Sequence, residues 1–182
     1  MLDQLVKLVT ENAQDAIVNN NAVPNQFNDA AISETSNVIQ NQLTQAVSQG
    51  KLQDVLGLFG NAQNMGSNPL VGNIVAQLSG SLSSKFGVAG GDAQGIASQL
   101  VPLILGKLVN KTNDPNDASF NINDIMGNLS GGKGAQGIDF GNIVSQMQQG
   151  GGIDLGGLAS QFLGGDKQTG GLGDMLGGFL GK

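Results

Sequence analysis

The chain has 182 residues, of which 39% are hydrophobic; all eight cations are Lys, His, Cys, Trp and Tyr are missing, and the net charge is −6. That length suits one domain with a sizeable core. The missing residue types exclude disulfides, thiolate nucleophiles, His metal sites and the usual catalytic triads, while eight scattered Lys and seven Phe supply neither the phosphate contacts nor the stacking platform of a nucleic-acid surface.

From the start, Leu2, Leu5, Val6, Val9, Ala13, Ala16 and Ile17 recur at steps of three and four, which predicts a helix with one buried face. Asp3, Lys7, Glu11 and Asp15 interrupt what would be the apolar region of a signal peptide. No stretch has the length and continuity of a membrane span, so a soluble cytoplasmic protein is expected. Pro24 then opens a second helical region with a stripe of Ala31, Ile32, Thr35, Ile39, Leu43, Ala46 and Val47, in which a bend near Ser33 is conceivable, and Gly50 supplies the stop.

"KLQDVLGLFG" reads as a short third helix. In "SNPLVGNIVAQLSGSLSSKF" an Asn cap and a Pro at the first helical position precede Val71, Ile74, Val75, Leu78, Leu82 and Phe86. With no charge before Lys85, this fourth helix is expected to be buried on most sides. Asp92 is expected to cap a fifth helix, buried through Ala93, Ile96, Ala97, Leu100, Leu103, Ile104 and Leu108. These two form the predicted central pair. Pro102, inside the fifth helix, strands the carbonyl of Ser98, which predicts a bend, with a small apolar ligand at that bend as the alternative use.

Beyond "NKTNDPND" four ten-residue segments share one template: "FNINDIMGNL" from Phe120, "IDFGNIVSQM" from Ile138, "IDLGGLASQF" from Ile153 and "GGLGDMLGGF" from Gly170. Each is apolar at its third, sixth, seventh and tenth positions, the i, i+3, i+4, i+7 pattern of a two-turn amphipathic helix. "GKLQDVLGLF" from Gly50 and "PLVGNIVAQL" from Pro69 fit the same template. Because 18 of the 30 Gly follow Ser130, the chain divides into a helical domain, 1–130, and a Gly-rich tail, 131–182. Burying three or four side chains does not repay the ordering of a Gly-rich unit. The tail cassettes therefore need a surface to dock on, in the body, in another copy or elsewhere. The interaction candidates are Phe140, Ile143, Val144, Met147, Leu155, Leu158, Phe162, Leu172, Met175, Leu176 and Phe179. The face of "FGNIVSQM" has no evident local partner.

No catalytic, cofactor or metal residue is assigned. "GNLSGGKG", residues 127–134, has the glycines and Lys of a phosphate-binding loop, but Gly134 stands where a Ser or Thr must hold magnesium. Asn113, Asp117, Asn121 and Asp124 have calcium-loop spacing, but Pro115 and Ala118 occupy positions that need a ligand and a turn-forming Gly, so a turn with a helix cap is preferred. Asp139 and Asp154 repeat at helix starts and read as N-caps instead of a paired acid and base. Gly173, Gly177 and Gly181 form a small-residue strip, and the Leu172 to Leu180 face suits a membrane surface less well than self-association, because its cationic support is a lone Lys182.

The stretch from "AISETSNVIQNQL" through "LSSKFGVAGGDAQGIASQLVPLILGKL" to "NDPNDASFNINDIMGNLSGG" resembles the bacterial YidB-like proteins, a family whose domain has no known function. The resemblance implies a multihelical fold with two central buried helices and carries no activity and no catalytic residues. The expectation is thus an all-α, non-catalytic protein without cofactor, whose tail engages itself or another protein.

Overall fold

The computed structural model describes residues 2–60, 62–114, 117, 120–131 and 139–148, and among them every regular element is helical. The first, α1 (Leu2–Asn12), turns Leu5, Leu8 and Val9 into the core. The predicted helix does not continue in the same geometry: Gln14–Val18 is a single wide π turn, in which the amides of Val18 and Asn19 reach back five residues to the carbonyls of Ala13 (3.3 Å) and Gln14 (2.7 Å). Four steps of plain α-helix would place Ile17 only about 40° from Ala13 around the axis, on the same face, and with the wider turn Ala13 and Ile17 are both fully buried.

A 3₁₀ turn, Asn25–Phe27, leads into α2 (Asn28–Ser48), which runs without a break through Ser33. Its predicted stripe is buried, and so are Thr35 and Ser36, whose hydroxyls donate to the carbonyls four residues back, Ala31 at 2.8 Å and Ile32 at 3.1 Å. The predicted Gly50 stop is a left-handed residue (φ 75°), with the amides of Gly50 and Lys51 closing onto the carbonyls of Val47 and Ala46. Next come α3 (Leu52–Gly60), a 3₁₀ segment (Ala62–Ser67) and α4 (Pro69–Phe86). Asn68 caps α4 as the sequence predicts, its side-chain oxygen accepting the Leu70 amide at 2.9 Å, while its side-chain nitrogen donates to the Asp54 carbonyl in α3.

The helix α5 (Gly90–Thr112) lies against α4 in the most extensive helix pair, the predicted central one. Three expectations about this pair need correction. First, α4 is buried along one stripe, Leu70, Val71, Ile74, Leu78, Ser81 and Leu82, and Gly72, Asn73, Ala76, Gln77, Gly80 and Ser84 face outward. Its lack of charge reflects an uncharged amide and small-residue exterior, not an enclosing core. Second, α5 begins two residues before Asp92, which therefore sits in the first turn beside the positive helix end while Ala89 holds the cap position without a side-chain bond. Third, Leu103 is 43% exposed, and Val101, Leu105 and Val109 are buried beside the expected residues. In "LVPLILGKLV" nearly every residue is apolar, so the pattern alone does not fix the phase of the stripe; Leu103 sits about 100° from Ile104 around the axis.

Against this pair pack α2 on α4 and α1 on both α2 and α5. The start of α2 is tied to the end of α4 by the Phe27 and Phe86 rings, 5.7 Å apart, and by Lys85 Nζ with a Glu34 carboxylate oxygen at 2.7 Å. Among the described residues, no helix is long and apolar enough to cross a membrane.

Candidate functional site

Two of the template segments after residue 119 are described: α6 (Ile122–Leu129) and α7 (Phe140–Gln148). In α6 all four template positions, Ile122, Ile125, Met126 and Leu129, are buried. In α7 Phe140 and Val144 are 1% and 3% exposed, and Ile143 packs half-buried against the same core. The helix lies on α3 and α6. "FGNIVSQM" therefore has a local partner after all. Sequence reading misses it because that partner is built from two segments far apart in the chain. This helix lies beyond Ser130 and still packs on the helical body, so Phe140 and Val144 are core residues and present no free apolar surface.

The N-terminal end of α7 is held by a polar cluster. Asn121 caps α6 by accepting the Asn123 amide at 2.8 Å. The Asn123 side chain, so positioned, accepts the Phe140 amide at 2.8 Å and donates to Asp139 Oδ1 at 3.4 Å. Asp139 caps α7 as predicted, with Oδ1 accepting the Asn142 amide at 3.2 Å and Oδ2 accepting the Asn142 side-chain nitrogen at 3.0 Å. Hydrogen bonds to the ionised form hold the Asp139 carboxyl below its ordinary pKa, the Asn142 amide foremost, then the Asn123 side chain, with desolvation opposing and the Gly141 amide and Asn142 side chain adding to the same effect. A Cβ at Gly141 would stand 3.2 Å from Asp139 Oδ1 and 3.7 Å from Ile122 Cγ2, so glycine there leaves the carboxylate room to cap. At Gly72, the equivalent place in α4, a Cβ would meet nothing within 4 Å.

Of the remaining interaction candidates, Met147 lies in α7 with its side chain outside the described set. Leu155, Leu158, Phe162, Leu172, Met175, Leu176 and Phe179 lie outside the described residues, as do Asp154 and the Gly173, Gly177 and Gly181 strip. Asn123 and Asn142 are site residues that the sequence pattern does not mark. Asn142 shares the cassette with Asp139, but Asn123 acts across 17 residues, a spacing that carries no local signal.

The loop with calcium-like spacing is used for packing. Asn113 donates to the Phe59 carbonyl at 3.1 Å, Asp117 pairs with Lys111 at 3.1 Å, Asn121 caps α6 and Asp124 is exposed in its first turn. Among the described residues, no three acidic groups gather to hold a metal. The phosphate-loop look-alike begins at the C-terminal end of α6, where Ser130 donates to the Gly127 carbonyl and Gly131 is left-handed; a phosphate cradle needs the amides of a helix start. At Pro102 α5 continues unbroken, with Ser98 and Leu103 exposed and Pro102 itself half-buried, so the carbonyl freed by the proline lies on the solvent side of the helix.

Two open clefts are described, one of mixed and one of mainly polar lining. One, of about 210 Å³ between α1 and the end of α5, is lined by Lys7, Glu11, Lys111, Asp117 and Phe120, and Lys111 is already engaged by Asp117 and by the Phe120 ring, 5.4 Å from its ammonium. The other, of about 220 Å³, lies where the π turn meets the start of α5, beside Asp15, Asn20, Asp92 and Gln99. Neither lining contains a hydroxyl, thiol or imidazole that could act as a nucleophile. Among the described residues, the α7 contact with α3 and α6 is the site built from the most cooperating groups. No family model, curated protein or solved structure matches the chain.

Proposed function

We propose that this is a non-catalytic helical protein of the YidB-like kind that acts by association in the cytoplasm, its body serving as a scaffold and its Gly-rich cassettes as docking elements for another copy or another protein. The observation that carries this reading is the docking of α7. A ten-residue cassette of the shared template, too short to stand alone, buries its third and seventh residues, Phe140 and Val144, on a surface made by two other helices. The cassettes at 153–162 and 170–179 carry the same apolar pattern and invite the same use.

Light scattering of the full-length chain against a full-length variant with Leu158, Phe162, Met175 and Phe179 all changed to Asp tests it. Concentration-dependent association of the parent, abolished in the variant with helix content retained, is the expected result. Parent and variant behaving as identical monomers at high concentration, with no protein partner that distinguishes them, would sink the reading.

A further inference from the structure

We infer that the surface of α3 and α6 that holds α7 is a shared docking site, and that residues 153–162 of the same chain compete with α7 for it. The inference rests on the reading of the cassettes as docking elements and names where one of them docks. What recognises α7 is a short list: a carboxylate at the cap, a large apolar residue immediately after it whose amide goes to Asn123, a glycine next, and apolar residues at the sixth and seventh positions. The 153–162 cassette meets the list in register. Asp154 stands for Asp139, Leu155 for Phe140, Gly156 for Gly141, Leu158 for Ile143 and Phe162 for Met147.

Two places make it the weaker occupant. Ala159 replaces Val144, and Gly157 replaces Asn142, which removes the side-chain hydrogen bond to the cap carboxylate. That ranking agrees with α7 holding the site. The 170–179 cassette fails the list at its cap, because Gly171 stands where Asp139 does. Each chain therefore has one site and two compatible cassettes, and occupancy by one leaves the apolar face of the other free. The competition decides which cassette is offered for association.

The chain lacks Cys, so introduced pairs report cleanly by disulfide formation. Ile122→Cys with Gly141→Cys is the positive control, since a Cβ at Gly141 lies 3.7 Å from Ile122 Cγ2. Ile122→Cys with Gly156→Cys tests the inference, and Ile122→Cys with Gly165→Cys measures what the tether alone allows. The expected result is intramolecular cross-linking at Gly156→Cys above the Gly165→Cys level, rising several-fold when Phe140→Asp vacates the site. Cross-linking at Gly156→Cys no higher than at Gly165→Cys, with and without Phe140→Asp, overturns it. Cross-links found only between chains also overturn it, and would leave the association reading standing. Loss of light-scattering association alongside an intact intramolecular cross-link would separate the two the other way.

Discussion

Phe59 and Phe140 are both about 1% exposed, yet truncating them has different consequences, and the difference measures whether α7 is a separable element. Removing a fully buried phenylalanine side chain costs about 3–5 kcal/mol through lost burial and the cavity left behind. Phe59 lies in α3, a helix with chain on both sides and in contact with α2, α4, α5 and α7, so Phe59→Ala exposes the whole fold to that loss. At about 2–4 °C per kcal/mol for a chain of this size, its Tm falls by roughly 6–20 °C. Phe140 sits instead on the last described helix, which contacts the body chiefly through α3 and α6 and which the rest of the core can release. The loss from Phe140→Ala saturates at the docking free energy of α7, because an undocked α7 costs nothing further. Amide hydrogen exchange with thermal melts in parallel provides the assay. Phe140→Ala is expected to raise exchange throughout Phe140–Gln148 to nearly unprotected rates while lowering Tm by only a few degrees. Equal drops in Tm for the two variants would refute the reasoning, since α7 would then belong to the cooperative core; so would unchanged exchange in α7 after the truncation.

Asn68→Ala removes both the α4 cap and the bond to the Asp54 carbonyl, so a loss of about 1–2 kcal/mol by urea denaturation is expected, above that of an ordinary exposed Asn. The carboxyl of Asp139 has a pKa lowered in the folded chain, so its contribution is complete above the unfolded value near 3.8 and disappears as pH falls through the folded value. The stability difference between the parent and Asp139→Asn, read from α7 hydrogen exchange or from melts at several pH values, should accordingly shrink in acid. Leu103→Gln should change stability by less than about 0.5 kcal/mol, whereas Ile104→Ala, one residue on and fully buried, should cost about 2–5 kcal/mol in the same titration.

Much of the fold is legible in the sequence because its signals are local. The Asn68 cap, the Gly50 stop and the buried stripe of α2 each depend on residues within one or two turns of each other. What fails does so where a local signal has two physical solutions. A helix without charges reads as enclosed, but Asn, Gln, Gly and Ser satisfy water without charge, and α4 uses them on its outer face. Asp92 reads as a cap, yet a carboxylate in the first turn is favoured by the same helix dipole. A run as apolar as that around Leu103 has no phase to read until a neighbouring helix selects one.

The cassettes show the same limit at the level of the site. Their apolar spacing and the capping by Asn121 and Asp139 follow from ten residues each, and the template positions described in α3, α4, α6 and α7 are buried or half-buried. The partner of each cassette is not encoded within it. For α7 that partner depends on Asn123, whose side chain reaches Phe140 across 17 residues, and on α3, some 80 residues earlier in the chain. If the copies compete for the α7 site, as inferred above, specificity is a matter of the few positions that differ between them: Asp against Gly at the cap, Val against Ala at the seventh place, Asn against Gly at the fifth. Two of those differences, at the cap and at the fifth place, fall on the exposed hydrogen-bonded end of the helix, and the third, at the seventh, falls on its buried apolar face. Discrimination between copies therefore combines the polar end, which sets the cap hydrogen bonds, with the seventh place, where a valine buries more apolar surface than an alanine.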